Sequence, residues 1–262
     1  MIQLLSFSKS VTGVPILSDA AIENDAERLL KDYNPALLKT PQALNVEDFA
    51  ENYLGLRTHY DYLSHNGNTW GRMVFYNSLI LVYVPTLKLA DYIPVKGDTV
   101  IVDNGLLGEG REPSFRSTMM HECGHKVYHT QYFCRNVDSI LSTSSAARMW
   151  LPATACRQVD ILGTRNSMRH ALVSDRDWLE HQAKHFSAAT LMPASMVRYI
   201  YNDLDMDDGY RIYSVKEMEQ YFIYYLATIF RVSQQFAGIR IKQLKLDFDS
   251  YSTSNRTVFV LR

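Results

Sequence analysis

Residues 116–129 read RSTMMHECGHKVYH, and within them His121, Glu122 and His125 spell H-E-x-x-H. On an α-helix, positions i and i+4 share a face about one turn apart, so His121 and His125 can present two imidazoles to a single cation. Glu122 projects roughly 100° around the helix from His121, beside such a cation, where a general base for a metal-activated water belongs. Catalytic zinc takes three protein ligands and a water, and lowers that water's pKa from about 16 to about 7. A bare H-E-x-x-H also arises by chance on ordinary helices. Gly124, inside the motif, counts against a helix chosen for stability alone, because glycine there costs roughly 1 kcal/mol relative to alanine. It admits the close approach of another backbone or a substrate. His129 cannot share an ion with His121, since eight residues of straight helix span about 12 Å; a supporting role is expected for it.

A third ligand must come from elsewhere, and residues 178–193, WLEHQAKHFSAATLMP, supply candidates. Glu180 lies on a predicted helix whose face continues through Ala183, Lys184 and Ser187, with small residues that would let this helix pack closely on the motif helix. Asp177 shares that face. His181 and His185 are rotated away from Glu180 by roughly 100° and 140° and rank below it as ligands.

The two stretches together resemble the ImmA/IrrE family of metallopeptidases, with the pattern H-E-x-G-H-x-x-x-H followed by E-x-x-A-x-x-F-x-A-x-x-L-M-P. The matching residues are His121, Glu122, Gly124, His125 and His129, then Glu180, Ala183, Phe186, Ala188, Leu191, Met192 and Pro193. DFAENYLGL, GRMVFYNSLILVYVP and VKGDTVIVDNGLL extend the likeness upstream, so that it covers Val46 to Pro193. The resemblance implies a zinc-dependent endopeptidase with one zinc held by His121, His125 and Glu180, and with Glu122 as general base. It also implies a protein substrate such as a helix-turn-helix repressor. The sequence departs from the family at Cys123, where an aliphatic residue is common, and in the long spacing from His125 to Glu180. No oxyanion-stabilising residue is assigned; Tyr128, His170 and the arginines between residues 136 and 170 are the candidates.

Outward from the motif, SDAAIENDAERLLKDY predicts a helix capped by Ser18, and NVEDFAENYLGL a second, capped by Asn45 and stopped by Gly55. The period then changes to that of strands: LRTHYDYLS, two β-rich runs joined at Asn77 and Ser78, and PVKGDTVIVDNG. Pro113 suits the first turn of the motif helix. The expected fold class is α+β, with a small antiparallel sheet packed on helices that carry the H-E-x-x-H motif and the downstream glutamate, and a helical C-terminal half. Residues 1–193 are expected to form a zincin-like metallopeptidase domain with an insertion over about 136–170. Residues 194–262, which include an acidic loop at Asp203 to Gly209, are expected to pack on it as a helical region.

The formal net charge of -1 gives no electrostatic reason for nucleic acid or anionic membrane as the main partner. No apolar run is long enough to span a bilayer, and the first residues lack the pattern of a signal peptide, so a cytoplasmic location is expected. Cys123, Cys134 and Cys156 do not resemble a disulfide framework. LATIFRVSQQFAGIRIKQL has the cadence of a helix-turn-helix with Arg231, Arg240, Lys242 and Lys245, but the YFIYY run before it favours packing on the core, and direct nucleic-acid binding is not expected. The alternative to an enzyme is a noncatalytic regulatory module on a peptidase scaffold that engages a transcription factor without cutting it.

Overall fold

In the computed structural model, residues 7–141, 153–158, 172–203 and 215–248 are described. Residues 204–209 of the acidic loop, His170, and most of the segment read as an insertion lie outside the described residues. The chain opens with α1 (Asp19–Tyr33), where Ser18 caps the helix by accepting from the Ala21 amide and Ile22, Ala26, Leu29 and Leu30 form the buried stripe. A short α2 (Val46–Asp48) follows, capped by Asn45, and continues as one wider turn over Phe49–Tyr53 before Gly55 turns the chain at a positive φ of 69°.

Among the described residues six strands come next: β1 (Arg57–Asp61), β2 (Thr69–Val74), β3 (Ser78–Val84), β4 (Leu89–Val95), β5 (Thr99–Asp103) and, beyond the motif helix, β6 (Cys156–Arg157). They form a four-stranded sheet in the order β1-β5-β2-β6 and a separate ribbon of β3 and β4. The class is α+β, as expected, but the main sheet is mixed where an antiparallel one was expected. β1 runs parallel to β5, with Arg57 opposite Thr99 and Asp61 opposite Asp103. Three intervening strands give the long connection that a parallel pair needs. The two runs joined at Asn77 and Ser78 enter different sheets, β2 pairing with β5 and β6, and β3 with β4. Strand β4 has no counterpart in the sequence reading because Pro94 argues against one. A two-stranded ribbon is all edge, which tolerates proline.

Alternation along β5 assigns its two faces. Val100 and Val102 join the helix-side core, whereas Ile101 joins Val74, Ile80, Val82 and Val95 in a second cluster under the ribbon. Against the helix side lies α3 (Glu112–Leu141), which carries the H-E-x-x-H motif, and against α3 lies α4 (Asp175–Leu191), started by a capping box between Ser174 and Asp177. Three helices follow: α5 (Ala194–Asn202), α6 (Val215–Phe230) and α7 (Gln234–Gln243). Among the described residues no helix is long and apolar enough to cross a membrane.

The last helix is fastened by a buried cation. The Arg240 side chain, fully buried, donates through Nε to the Met192 carbonyl at 2.9 Å and through both terminal nitrogens to the Glu23 carboxylate at 2.5 and 2.7 Å. One guanidinium thus ties α7 to α1 and to the end of α4. Burial pushes the Glu23 carboxyl up, but hydrogen bonds and charge from Arg240 and His185 outweigh it and bring the value down from 4.5 to about 2. A carboxyl with a lowered folded pKa contributes stability that is fully present above the unfolded value and disappears as pH falls through the folded one. Arg240→Met is therefore expected to cost about 3–5 kcal/mol in chemical denaturation at neutral pH, because it leaves Glu23 charged with only His185 to partner it. The stability gap between wild type and Glu23→Gln should shrink as pH is lowered from 4.5 toward 2.

Candidate metal centre

The site is built where α3 and α4 touch. A Cβ on Gly124 would stand 3.0 Å from the Ala183 Cα and 3.2 Å from the Ala183 carbonyl oxygen, so glycine is what lets the two helix backbones meet. Farther along, the Ser187 hydroxyl donates to the Ser117 carbonyl at 3.0 Å. The face predicted from Glu180 through Ala183 and Ser187 is the one that packs.

This contact brings three of the sequence-predicted residues together. His121 and His125 are buried on α3, their Nε2 atoms 3.1 Å apart. Glu180 reaches across from α4, with Oε2 at 3.2 Å from His121 Nε2 and Oε1 at 3.8 Å from His125 Nε2. One donor atom from each lies within 4.8 Å of the others, the arrangement of a three-ligand cation site. Glu180 retains 15 % side-chain exposure, so the site meets solvent on its side. His181 and His185 point the other way, toward Asp19 and Glu23.

Electrostatics favour a cation at this place. Burial pushes His121 toward its neutral form, but the Glu180 carboxylate, with help from Glu122, outweighs burial and raises its pKa. Burial pushes Glu180 up in turn, but His121 outweighs it and holds the carboxyl low. Glu180 Oε2 and Glu122 Oε1 are buried and have no hydrogen-bond donor among the described residues. Carboxylate oxygens buried without donors are costly unless a cation faces them. The donor set of two imidazoles and a carboxylate fits zinc and several other borderline divalent ions.

His129 does not join the ligand set; it sets the proton on His125. The Gln182 amide nitrogen donates to the Pro15 carbonyl at 2.7 Å, which leaves Gln182 Oε1 as an acceptor 2.9 Å from His129 Nε2. His129 Nε2 therefore carries the hydrogen. Burial keeps this ring neutral, with its pKa down at about 4, so its Nδ1 is a bare acceptor. That atom lies 2.8 Å from His125 Nδ1, which must then be the donor. His125 Nε2 is left with its lone pair directed at His121 and Glu180. Burial and the neighbouring imidazoles hold His125 well below the usual histidine value, so the lone pair stays bare at neutral pH.

Glu122 is buried beside His121, with a carboxylate oxygen within 4.8 Å of a His121 nitrogen. Thr154 donates its hydroxyl proton to Glu122 Oε2 at 2.7 Å, while accepting from the Met73 amide at 2.7 Å. Burial pushes the Glu122 carboxyl up to about 7, against the pull of His121, Thr154 and Arg72. Gly71, on β2, clears the space: a Cβ there would fall 2.9 Å from Glu122 Oε1 and 2.6 Å from Thr118 Cγ2.

Thr154 belongs to the segment read from sequence as an insertion. Residues 153–158 lie along the outer edge of β2, with Cys156 opposite Gly71 and the Thr154 amide bonded to the Met73 carbonyl. Thr154, Arg72 and Gln182 were missing from the sequence reading; only Gln182, two residues from Glu180 on a helix already singled out, offered a signal. Of the thiols, Cys123 is buried in the core and pushed far above its usual pKa, whereas Cys156 stands within 4.8 Å of donor atoms on His121 and Glu122. Tyr128 is no oxyanion candidate, since its hydroxyl turns to Asp25 at 3.4 Å.

No protein-family profile matches the chain, and no curated protein matches it by sequence.

If Gln182 orients His129 and His129 orients His125, Gln182→Leu and His129→Phe should each lower zinc affinity about 10–100-fold. Competition against a chromogenic chelator measures this. The two losses should not add in the double variant, because both break one chain of donors.

Proposed function

We propose that this chain is a zinc-dependent endopeptidase of the ImmA/IrrE type that its motifs resemble, acting in the cytoplasm on a protein partner such as a helix-turn-helix repressor. The observation that carries the reading is the meeting of His121, His125 and Glu180 from two helices, with the Glu122 carboxylate beside His121 and held by Thr154. Zinc held by these three residues would supply Lewis acidity toward a substrate carbonyl and an attacking water.

The remaining work falls to the chain's own groups. Glu122 Oε2 is fixed by Thr154, and Oε1, with no donor among the described residues, is the atom that takes a proton. A carboxyl that burial pushes upward is suited to accept that proton from the attacking water and return it to the departing amine, the balance general acid–base work requires. The chain from Pro15 through Gln182 and His129 holds the His125 lone pair in place.

A protein partner is preferred over DNA because two of the four basic residues of the helix-turn-helix-like stretch are already paired with carboxylates. Arg240 is buried on Glu23, and Arg231 pairs with Glu112 at 3.0 Å. The noncatalytic reading has one observation in its favour. Residues 153–158 occupy the edge of β2 beside the motif helix, where an extended substrate would add, and Thr154 engages the proposed base.

Elemental analysis should find His121→Ala and Glu180→Ala each one zinc per chain poorer than wild type, both folded by circular dichroism. Glu122→Gln should keep its zinc and lose cleavage by about 10²–10⁴-fold. Sequencing the new protein N-termini that arise in cells expressing wild type, against cells expressing Glu122→Gln, reads cleavage whatever the substrate is. Identical fragments from both would sink the mechanism, and no wild-type fragments despite partner capture would establish the noncatalytic module.

A further inference from the structure

The side of α4 that faces away from α3 carries its own constellation. His181 and His185 stand at i and i+4, and Asp19, the first residue of α1, lies against both. His181 Nε2 is 2.8 Å from Asp19 Oδ1, and His185 Nδ1 is 3.6 Å from the same oxygen. One donor atom from each of the three residues lies within 4.8 Å of the others.

We propose that Asp19, His181 and His185 form a second divalent-cation site, suited to zinc and similar imidazole-seeking ions and independent of His121, His125 and Glu180. His185 is prepared for it. Its side chain is only 5 % exposed, and its Nε2 lies 2.8 Å from Glu23 Oε1. The Glu23 carboxylate is ionised down to about pH 2, so it accepts and the Nε2 carries the hydrogen. With its Nε2 hydrogen on Glu23, the ring can turn the Nδ1 lone pair to a cation, and at 3.6 Å from Asp19 that atom is beyond hydrogen-bond reach. A carboxylate that holds the far nitrogen of a histidine is the usual support for a metal ligand. Here the support is itself anchored, since both Glu23 oxygens are gripped by Arg240.

The spacing also suits an ion. Zinc bonds of about 2.0–2.2 Å place tetrahedral ligands roughly 3.3–3.6 Å apart, so the His185–Asp19 separation fits as it stands. The closer His181–Asp19 pair must open by about 0.5 Å, which an Asp19 side chain 62 % exposed to solvent can do. Solvent supplies the remaining coordination. An ion here joins the start of α1 to the helix that bears Glu180, and braces that helix from the side opposite the first site.

The test is calorimetric titration of metal-stripped, full-length protein with zinc at neutral pH. Wild type should bind two zinc ions per chain, and His181→Ala, Asp19→Ala and His121→Ala one each. His121→Ala/His181→Ala should bind none. His185→Ala is avoided because it also disturbs Glu23. A wild type that binds one zinc, with His181→Ala unchanged, overturns this site and leaves the first intact; so does a second zinc whose affinity survives Asp19→Ala. If His181→Ala loses an ion and His121→Ala loses none, this site stands and the first reading falls.

Discussion

The contact between α3 and α4 at Gly124 and Ala183 sets the geometry of everything around it. With a backbone atom 3.0 Å from where a Cβ would be, the two helices lie closer than a side chain at that point would permit, and Glu180 can reach between His121 and His125. A larger residue at 124 would meet backbone, which has nowhere to go, and would move α4 as a rod. Glycine is poor for the motif helix in isolation and necessary for the pair. The local cost and the tertiary gain sit on the same residue.

Polar groups buried at such a contact need complete accounting, and most of them receive it from distant parts of the chain. The proton on His125 is decided by a backbone carbonyl at Pro15, two side chains away, in a stretch that precedes the first helix. Glu122 is placed by a threonine that is itself placed by a backbone amide of β2. The donor atoms of His121, His125 and Glu180 converge on one spot, and Glu180 Oε2 is among the buried atoms there without a hydrogen-bond partner. A cation bound between them would face that carboxylate, and its binding would add to folding stability.

The sequence was most legible where one period or one local bond decides the outcome. α1 with its Ser18 cap, α2 with Asn45, and the packing face of α4 are set by spacing and capping that act over a few residues. Strand partners were not legible. LRTHYDYLS and GDTVIVDNG each read as strands, but nothing within either run says that β1 and β5 pair in parallel after three strands intervene. Likewise, Leu89–Val95 was hidden by Pro94, and Arg240 resembled a surface cation until the fold placed Glu23 opposite it. The candidate ligand residues could be named from type and spacing, yet Thr154 could not, because its position depends on residues 153–158 pairing with β2.

That pairing also bears on how a substrate would reach Glu122. An extended peptide binding beside the motif helix would seek unpaired amides and carbonyls along β2, and those of Met73 are taken by Thr154. The short β6 pairs with Thr69 and Gly71, with a register shift between them, and Gln158 and Thr154 extend the contact to Asn68 and Met73. A bulge interrupts the ladder and leaves a strand that a better-matched one could displace. Displacement would carry Thr154 off Glu122 and free the second carboxylate oxygen at the moment a peptide arrived. On the enzymatic reading, the same six residues that block the edge of β2 would couple substrate entry to release of the base.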